Sequence, residues 1–323
     1  MSVLPVLSSC RSVVERSRFV HVDPLTVSRF LDSRPHLLIP PLHVGPAPYH
    51  YFDGTGITAE WLFVVDTINH CFWPDIGSPR WEVSYREELL SGYWALAASL
   101  KRAMEEGIAV HRAETLATLD GETLASIFRG RGTIPLFRER LENLRDAGRI
   151  LLERFQGSFL HLLEESGYSA VELVQLLATT FPSFRDIALY QGETVHFYKR
   201  AQLLVMDLWC TFGAASWGRF ADIAALTAFA DYKLPQVLRH LGILSYAPDL
   251  AERIDSLIPV PAGSPEEVEI RAATIWGVEW LRQALIARGD PAISAQLDNW
   301  LWTLGQEDTY RQKPYHRTRT IYY

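Results

Sequence analysis

Three cysteines in 323 residues, Cys10, Cys71 and Cys210, are too few and too scattered for a disulfide framework. No CxxC pair and no HExxH motif occurs, so the common zinc spacings are missing. His36, His43 and His50 recur at regular intervals, but the prolines between them deny a shared helix face. No apolar run approaches the ~20 residues that a bilayer span requires. The opening MSVLPVLSSCRSVVERSRF lacks a charged stretch followed by a continuous apolar one. A soluble, cytoplasmic protein with no membrane partner is the expectation. Basic charge is also in short supply: 31 Lys and Arg against 38 Asp and Glu leave a net charge of −7. A surface that tracks a polynucleotide needs cations for many phosphates, so a polynucleotide partner is not expected, whereas one phosphate asks far less. A Walker loop, a GxGxxG turn after a strand and a GxSxG elbow are all absent.

What is present is apolar and aromatic. Hydrophobic residues make up 48% of the chain, enough for a large core, and 10 Trp, 13 Tyr and 15 Phe exclude a disordered chain. Rigid rings also offer stacking surface for a base.

The periodicity reads as mainly α. Two short amphipathic helices are expected around 13–19 and 24–31, followed by a loop in which Pro40, Pro41, Pro46 and Pro48 forbid regular helix. WLFVVDTINHCFW, ending at Pro74, is short, β-branched and aromatic, and reads as a buried strand or extended core segment near 60–73. Residues 84–106 read as one long helix, interrupted at most near Gly92. Leu141, Leu144, Gly148, Leu151 and Phe155 mark one helical face. Further helices are expected at 122–128, 157–166, 169–178, 194–210, 219–229, 234–241, 265–287 and 291–303. The tail RQKPYHRTRTIYY is either a solvated end or, given Ile321, Tyr322 and Tyr323, a segment docked on the body.

Four stretches carry groups with chemical potential, each with a plain structural reading beside it. In FADYKLPQVLRHLGIL, Leu234, Val237, Leu238 and Leu241 form a core face, with Pro235 in the first turn and Gly242 at the end. Asp231 then falls at the helix mouth, either as a cap or as a carboxylate held beside a developing positive charge. In FPSFRD, Phe184 is a core aromatic or a stacking ring. Asp186 is a cap, an ion partner, or an acceptor for the amidine edge of a guanine-like base. Lys199 sits deep in an apolar segment, where a lysine snorkels or meets an anion. Asp207 shares the helical face of Arg200 and structures that region on the plain reading. In YHYFDGTG, His50 lies on a proline-ordered loop and is a candidate pocket residue. Asp66, Asn69 and Trp73 interrupt the apolar run that follows and must face polar partners. FRGRGT at 128–133 is an anion cradle or, on the plain reading, a solvated turn.

Taken in order, WLFVVDTINHCFW, SGYWALAASLKRAMEEGI, IPLFRERLENLRDAGRILLERF, FPSFRDIALYQGETVHFYKRAQLLVMDLW, FADYKLPQVLRHLG, EEVEIRAATIWGVEWL and PYHRTRTIYY resemble the queuosine 5′-phosphate N-glycosidase/hydrolase family, the queuosine salvage proteins. The resemblance runs from about residue 20 to the end. His70-Cys71 stands where relatives often carry Phe-Ser or Phe-Gly, which bears on local pocket shape. The resemblance implies a compact helical fold like that of helical DNA glycosylases. It further implies one domain over 1–323, with 1–80 as a cap or pocket segment on a helical body of 81–323. The implied reaction splits queuosine 5′-monophosphate into queuine, a 7-deazaguanine, and ribose 5-phosphate, with no cofactor and no metal. Carried over by motif, Asp231 is the catalytic carboxylate at the anomeric carbon. Phe184 and Asp186 hold the base, with Tyr232 and Gln236 nearby, and Lys199 and His50 take the ribose-phosphate end. The proton donor is not indicated, and a monomer is expected. Two other classes remain open: a glycosylase acting within DNA or RNA, and a non-catalytic helical module that binds nucleosides.

Overall fold

The computed structural model describes residues 3–323. Helices dominate, and their starts follow local capping chemistry. At the N-terminal end, α1 (Val6–Glu15) is followed by the two-residue strand β1 (Val20–His21) and by α2 (Pro24–Asp32). Asp23 caps α2, accepting from the Thr26 N–H at 2.9 Å ahead of Pro24 in the first turn. After the proline-rich loop comes α3 (Gly56–Thr67), capped by Thr55. This segment is helical, not the strand or extended piece expected near 60–73; only the residues beyond Thr67 lack helical form. Every residue of α3 from Trp61 to Thr67 is buried, so the helix has no polar face and no 3.6-residue alternation. A helix that is apolar all round is the case in which periodicity cannot tell helix from strand.

The helix expected over 84–106 is instead a hairpin and a helix. Strands β2 (Glu82–Tyr85) and β3 (Glu88–Ser91) pair antiparallel, and α4 (Tyr93–Glu105) starts after Gly92. The turn is made by Arg86 and Glu87, both at positive φ (46° and 69°). Such turns usually announce themselves with Asn-Gly; Arg-Glu gives no such signal. FRGRGT carries no anion cradle. Arg131 forms an isolated bridge with Glu82, and a Cβ on Gly130 would run into the Glu82 carbonyl.

The middle of the chain forms α5 (Ala113–Ala117), α6 (Gly121–Ile127), α7 (Phe137–Arg154), α8 (Phe159–Glu165) and α9 (Ala170–Thr180). A second hairpin joins β4 (Ile187–Tyr190) to β5 (Glu193–His196) through a Gln191-Gly192 turn. β5 takes the first residues of the helix expected over 194–210, so α10 (Lys199–Thr211) starts later, after Tyr198 at φ 51°. Residues 219–229 do not form the expected helix. Their backbone runs irregularly into the core, because side chains satisfy it: Gln202 accepts from the Thr227 N–H at 2.8 Å and Asp298 from the Phe229 N–H at 2.6 Å. The rest comprises α11 (Lys233–His240), β6 (Ser245–Tyr246, paired with β1), α12 (Pro248–Asp255), α13 (Pro265–Ala287) and α14 (Ser294–Leu304).

The core is one cluster reaching from Leu4 to Leu301. α13 packs against α1, α2, α11 and α14, while α3 packs against α7, α8 and α10. The tail docks: Tyr323 is buried, its carbonyl accepts from Cys71 N–H at 2.9 Å, and its hydroxyl donates to Glu267 at 2.8 Å. No helix among the described residues is long and apolar enough to cross a membrane.

Candidate active site

A cavity of about 880 Å³ opens where α10, the mouth of α11, the start of α4, α14 and the tail meet. Lys199, the first residue of α10, is buried against it. Burial pulls its ammonium pKa down, and the carboxylates of Asp231 and Asp66 pull it back up. Asp231 stands at the start of α11. Its Oδ1 accepts the N–H groups of Lys233 (2.7 Å) and Leu234 (3.0 Å), which anchors the side chain by the cap interaction. Oδ2 makes no hydrogen bond to the described residues, and the side chain lines the cavity. Burial raises the Asp231 pKa, opposed by Lys199 and by the two N–H bonds. Asp298 on α14 lies close to both Asp231 and Lys199 and is held well above the carboxylate range by burial.

Two unlike ends flank this centre. At one, α3 brings Asp66, α10 brings Asp207 and α4 brings Tyr93, whose hydroxyl faces Asp207 and lies 2.6 Å from His50 Nε2. Trp94 packs edge-on against Tyr93 and Trp302, and all three rings line the cavity. At the other end cations gather. The Lys233 pKa falls to about 8, first through burial and then through Arg311 and Arg80, while Asp231 opposes the fall. Tyr315 lies among Arg317, Arg80 and Arg311. The Arg317 guanidinium packs over Trp73, and its buried Nε has no partner. Several cations thus border one end of the cavity, with Asp231 beside Lys233 and the exposed Asp308 3.8 Å from Arg311 as their anionic neighbours, and such a net positive end suits a negative group.

A family model described as queuosine salvage protein matches residues 49–323. The chain belongs to the queuosine salvage protein family. A protein of Sphaerobacter thermophilus is 49% identical over 321 residues, covering 99% of this chain and 98% of its own. Proteins of Mus musculus and Bos taurus are 38% and 36% identical, each covering 98% of this chain and 97% of their own. All three are named queuosine 5′-phosphate N-glycosylase/hydrolase.

Of the residues singled out in this salvage-family sequence, Asp231, Lys199, Tyr232, Gln236 and His50 all line the one cavity. Tyr232 packs at a tilt of 42° against Tyr315 with ring centroids 4.8 Å apart, and Gln236 ties down the tail through the Lys313 carbonyl at 2.6 Å. Phe184 and Asp186 lie outside the cavity wall. Phe184 is 1% exposed, stacked on Phe63 and capped by the Arg200 guanidinium at 5.1 Å. Asp186 accepts both arms of Arg271, at 2.8 and 2.6 Å, and caps α10 through the Lys199 N–H at 3.1 Å. The Phe184 ring is thus enclosed by core rings, and each Asp186 oxygen already accepts from Arg271. His50 brings no positive charge to the cavity. Burial, then Lys101, lowers its pKa to about 3, so the ring is neutral and serves Tyr93.

Asp298, Tyr93, Trp302, Lys233 and Arg311 escaped the sequence reading. Asp298 had the one usable signal, a carboxylate close before the apolar run Trp300–Leu301–Trp302. The others gain meaning only from chain segments that sequence distance hides.

Proposed function

We propose that this protein hydrolyses the N-glycosidic bond of queuosine 5′-phosphate, releasing queuine and ribose 5-phosphate. One observation carries the reading. A carboxylate anchored at a helix mouth, with a free oxygen toward the cavity, stands between an aromatic, carboxyl-bearing end and a cationic end. A nucleotide has that same order: a flat base with N–H donors, a sugar, and a phosphate. With the base at the Tyr93–Trp94–Trp302 end and the phosphate among Lys233, Arg311 and Arg80, the ribose lies over Asp231. Cleavage of the C–N bond leaves oxocarbenium character on the sugar, and Asp231 Oδ2 stabilises it. Lys199 keeps Asp231 ionised and so acts through it. The phosphate contact passes from Lys199 and His50 to the cationic end, because Lys199 is already balanced by carboxylates and His50 carries no charge. A cationic end inside one cavity of a chain whose net charge is −7 suits a free nucleotide rather than a polynucleotide. Three free thiols, two of them buried, suit a reducing compartment such as the cytoplasm.

The test is to incubate the purified protein with queuosine 5′-phosphate and assay free queuine. Release by the wild type, with turnover lowered ~10²–10⁴-fold in Asp231→Ala while the far-ultraviolet spectrum is kept, is the expected result. Near-normal release by that variant would remove Asp231 from the chemistry.

A further inference from the structure

Asp231 serves the sugar cation, and the departing base needs a proton from another group. Asp207 lies on α10 about two turns beyond Lys199 and lines the cavity. Its carboxyl abuts that of Asp66 on α3. Asn69 donates to Asp66 Oδ1 at 3.1 Å, yet no N–H or hydroxyl group reaches Asp66 Oδ2, which is buried. Two ionised carboxylates offer each other only lone pairs and repel. One proton between them supplies the donor that Oδ2 lacks. The other groups facing the pair are Lys199 and Cys210 on α10, Tyr93 on α4, and Arg200 behind Asp66.

We propose that Asp207, carrying the proton it shares with Asp66, is the acid that protonates the departing base. This rests on the glycosidase reading above. A 7-deazaguanine has carbon where guanine has N7, so the proton goes to the departing nitrogen itself or to a nitrogen or oxygen of the six-membered ring. As the C1′–N bond breaks, its electron pair stays with the base and the Asp207 proton moves onto the base. Water gives its oxygen to C1′, and the proton it loses restores the Asp66–Asp207 pair. No oxidant or other co-reactant enters. Burial and the Asp66 charge hold the Asp207 carboxyl well above the ordinary carboxylate range, so it keeps its proton to higher pH than a free aspartate does. Asp66 is a positioning residue: it holds the proton on Asp207 without touching the base.

Two readouts test this. The first compares queuosine 5′-phosphate with a ribose 5-phosphate bearing p-nitrophenolate, a leaving group that needs no acid. Asp207→Asn is expected to slow queuine release ~10²–10⁴-fold but nitrophenolate release at least tenfold less severely, while Asp231→Asn slows both alike. Equal loss on both substrates in Asp207→Asn, or loss on neither, overturns the proposal. The second readout is the pH profile of kcat on the natural substrate, which decides the matter even where the activated substrate is refused. An acid must be protonated to act, so kcat falls as pH rises through its pKa. Asp66→Asn removes the charge that retains the proton, and that alkaline limb is expected to move to lower pH; a limb that stays in place overturns the proposal. A wild type that releases no queuine at all refutes the glycosidase reading instead.

Discussion

Asp231 divides its two oxygens between structure and chemistry. Oδ1 takes two backbone N–H groups, and Oδ2 is left toward the cavity. This division explains why sequence could offer a cap and a catalytic carboxylate as rivals: the cap uses one oxygen, and the proposed chemistry needs only the other. It also fixes a pH dependence. Asp231 must be ionised to stabilise a cation, so kcat falls as pH drops through its pKa. Burial raises that pKa, so the acid limb is expected above the ordinary carboxylate range near 4. Lys199 counteracts the shift by its charge. Lys199→Met is therefore expected to move the acid limb to still higher pH as well as to lower kcat. The profile of initial rate against pH for both proteins checks it, and a limb unmoved in Lys199→Met would detach that lysine from Asp231.

At the scale of elements, the structure shows what the Asp186–Arg271 pair does. Asp186 ends the turn before β4, accepts from the first residue of α10 and clamps Arg271 of α13, so three elements meet on one buried carboxylate. Arg271 also lies over the rings of Phe197 (3.9 Å) and Tyr323 (4.4 Å). Removing one partner strands the other's charge in the core. Arg271→Ala is expected to cost about 3–5 kcal/mol, read as a lowered midpoint in urea denaturation. A loss below about 1 kcal/mol would mean that water reaches the pair. The same clamp shows the limits of sequence reading. α13 was legible to the residue, because Ser264 caps the Glu267 N–H, Pro265 occupies the first turn and the sequence around them says so. α3 was not, since burial on all sides erases periodicity. β2–β3 was not, since its turn residues carry no turn signal. In the proposed site, motif and placement pointed to Asp231 and Lys199, and both line the cavity. Asp186 meets Arg271 instead of lining it, a partner that sequence does not reveal, because an aromatic followed by an acid looks alike whether a base or an arginine comes to meet it.

Over the whole molecule, charge is sorted by place. The chain is acidic, yet Arg80, Lys233, Arg311 and Arg317 come from segments far apart in sequence to border one end of one cavity. Arg311 is held there by the Gly305 carbonyl at 2.9 Å, next to the end of α14, and Lys233 reaches the same carbonyl at 3.4 Å. So the end of α14 sets the spacing of two cations that α11 and the tail supply. If this end takes a single phosphate, Arg311→Ala should lower kcat/KM for queuosine 5′-phosphate about tenfold more than for the nucleoside queuosine, a loss of about 1.4 kcal/mol in discrimination. Salt provides an independent check. Neutralising one phosphate gives a shallow dependence on ionic strength, whereas a polynucleotide footprint of 6–10 phosphates loses roughly 10³–10⁵ in affinity between 50 and 200 mM salt. A KM for the nucleotide that rises only a few-fold over that range, with the nucleoside KM flat, is the expected outcome. Equal sensitivity of the two substrates would move the phosphate away from Arg311 and leave its cationic neighbours without a ligand.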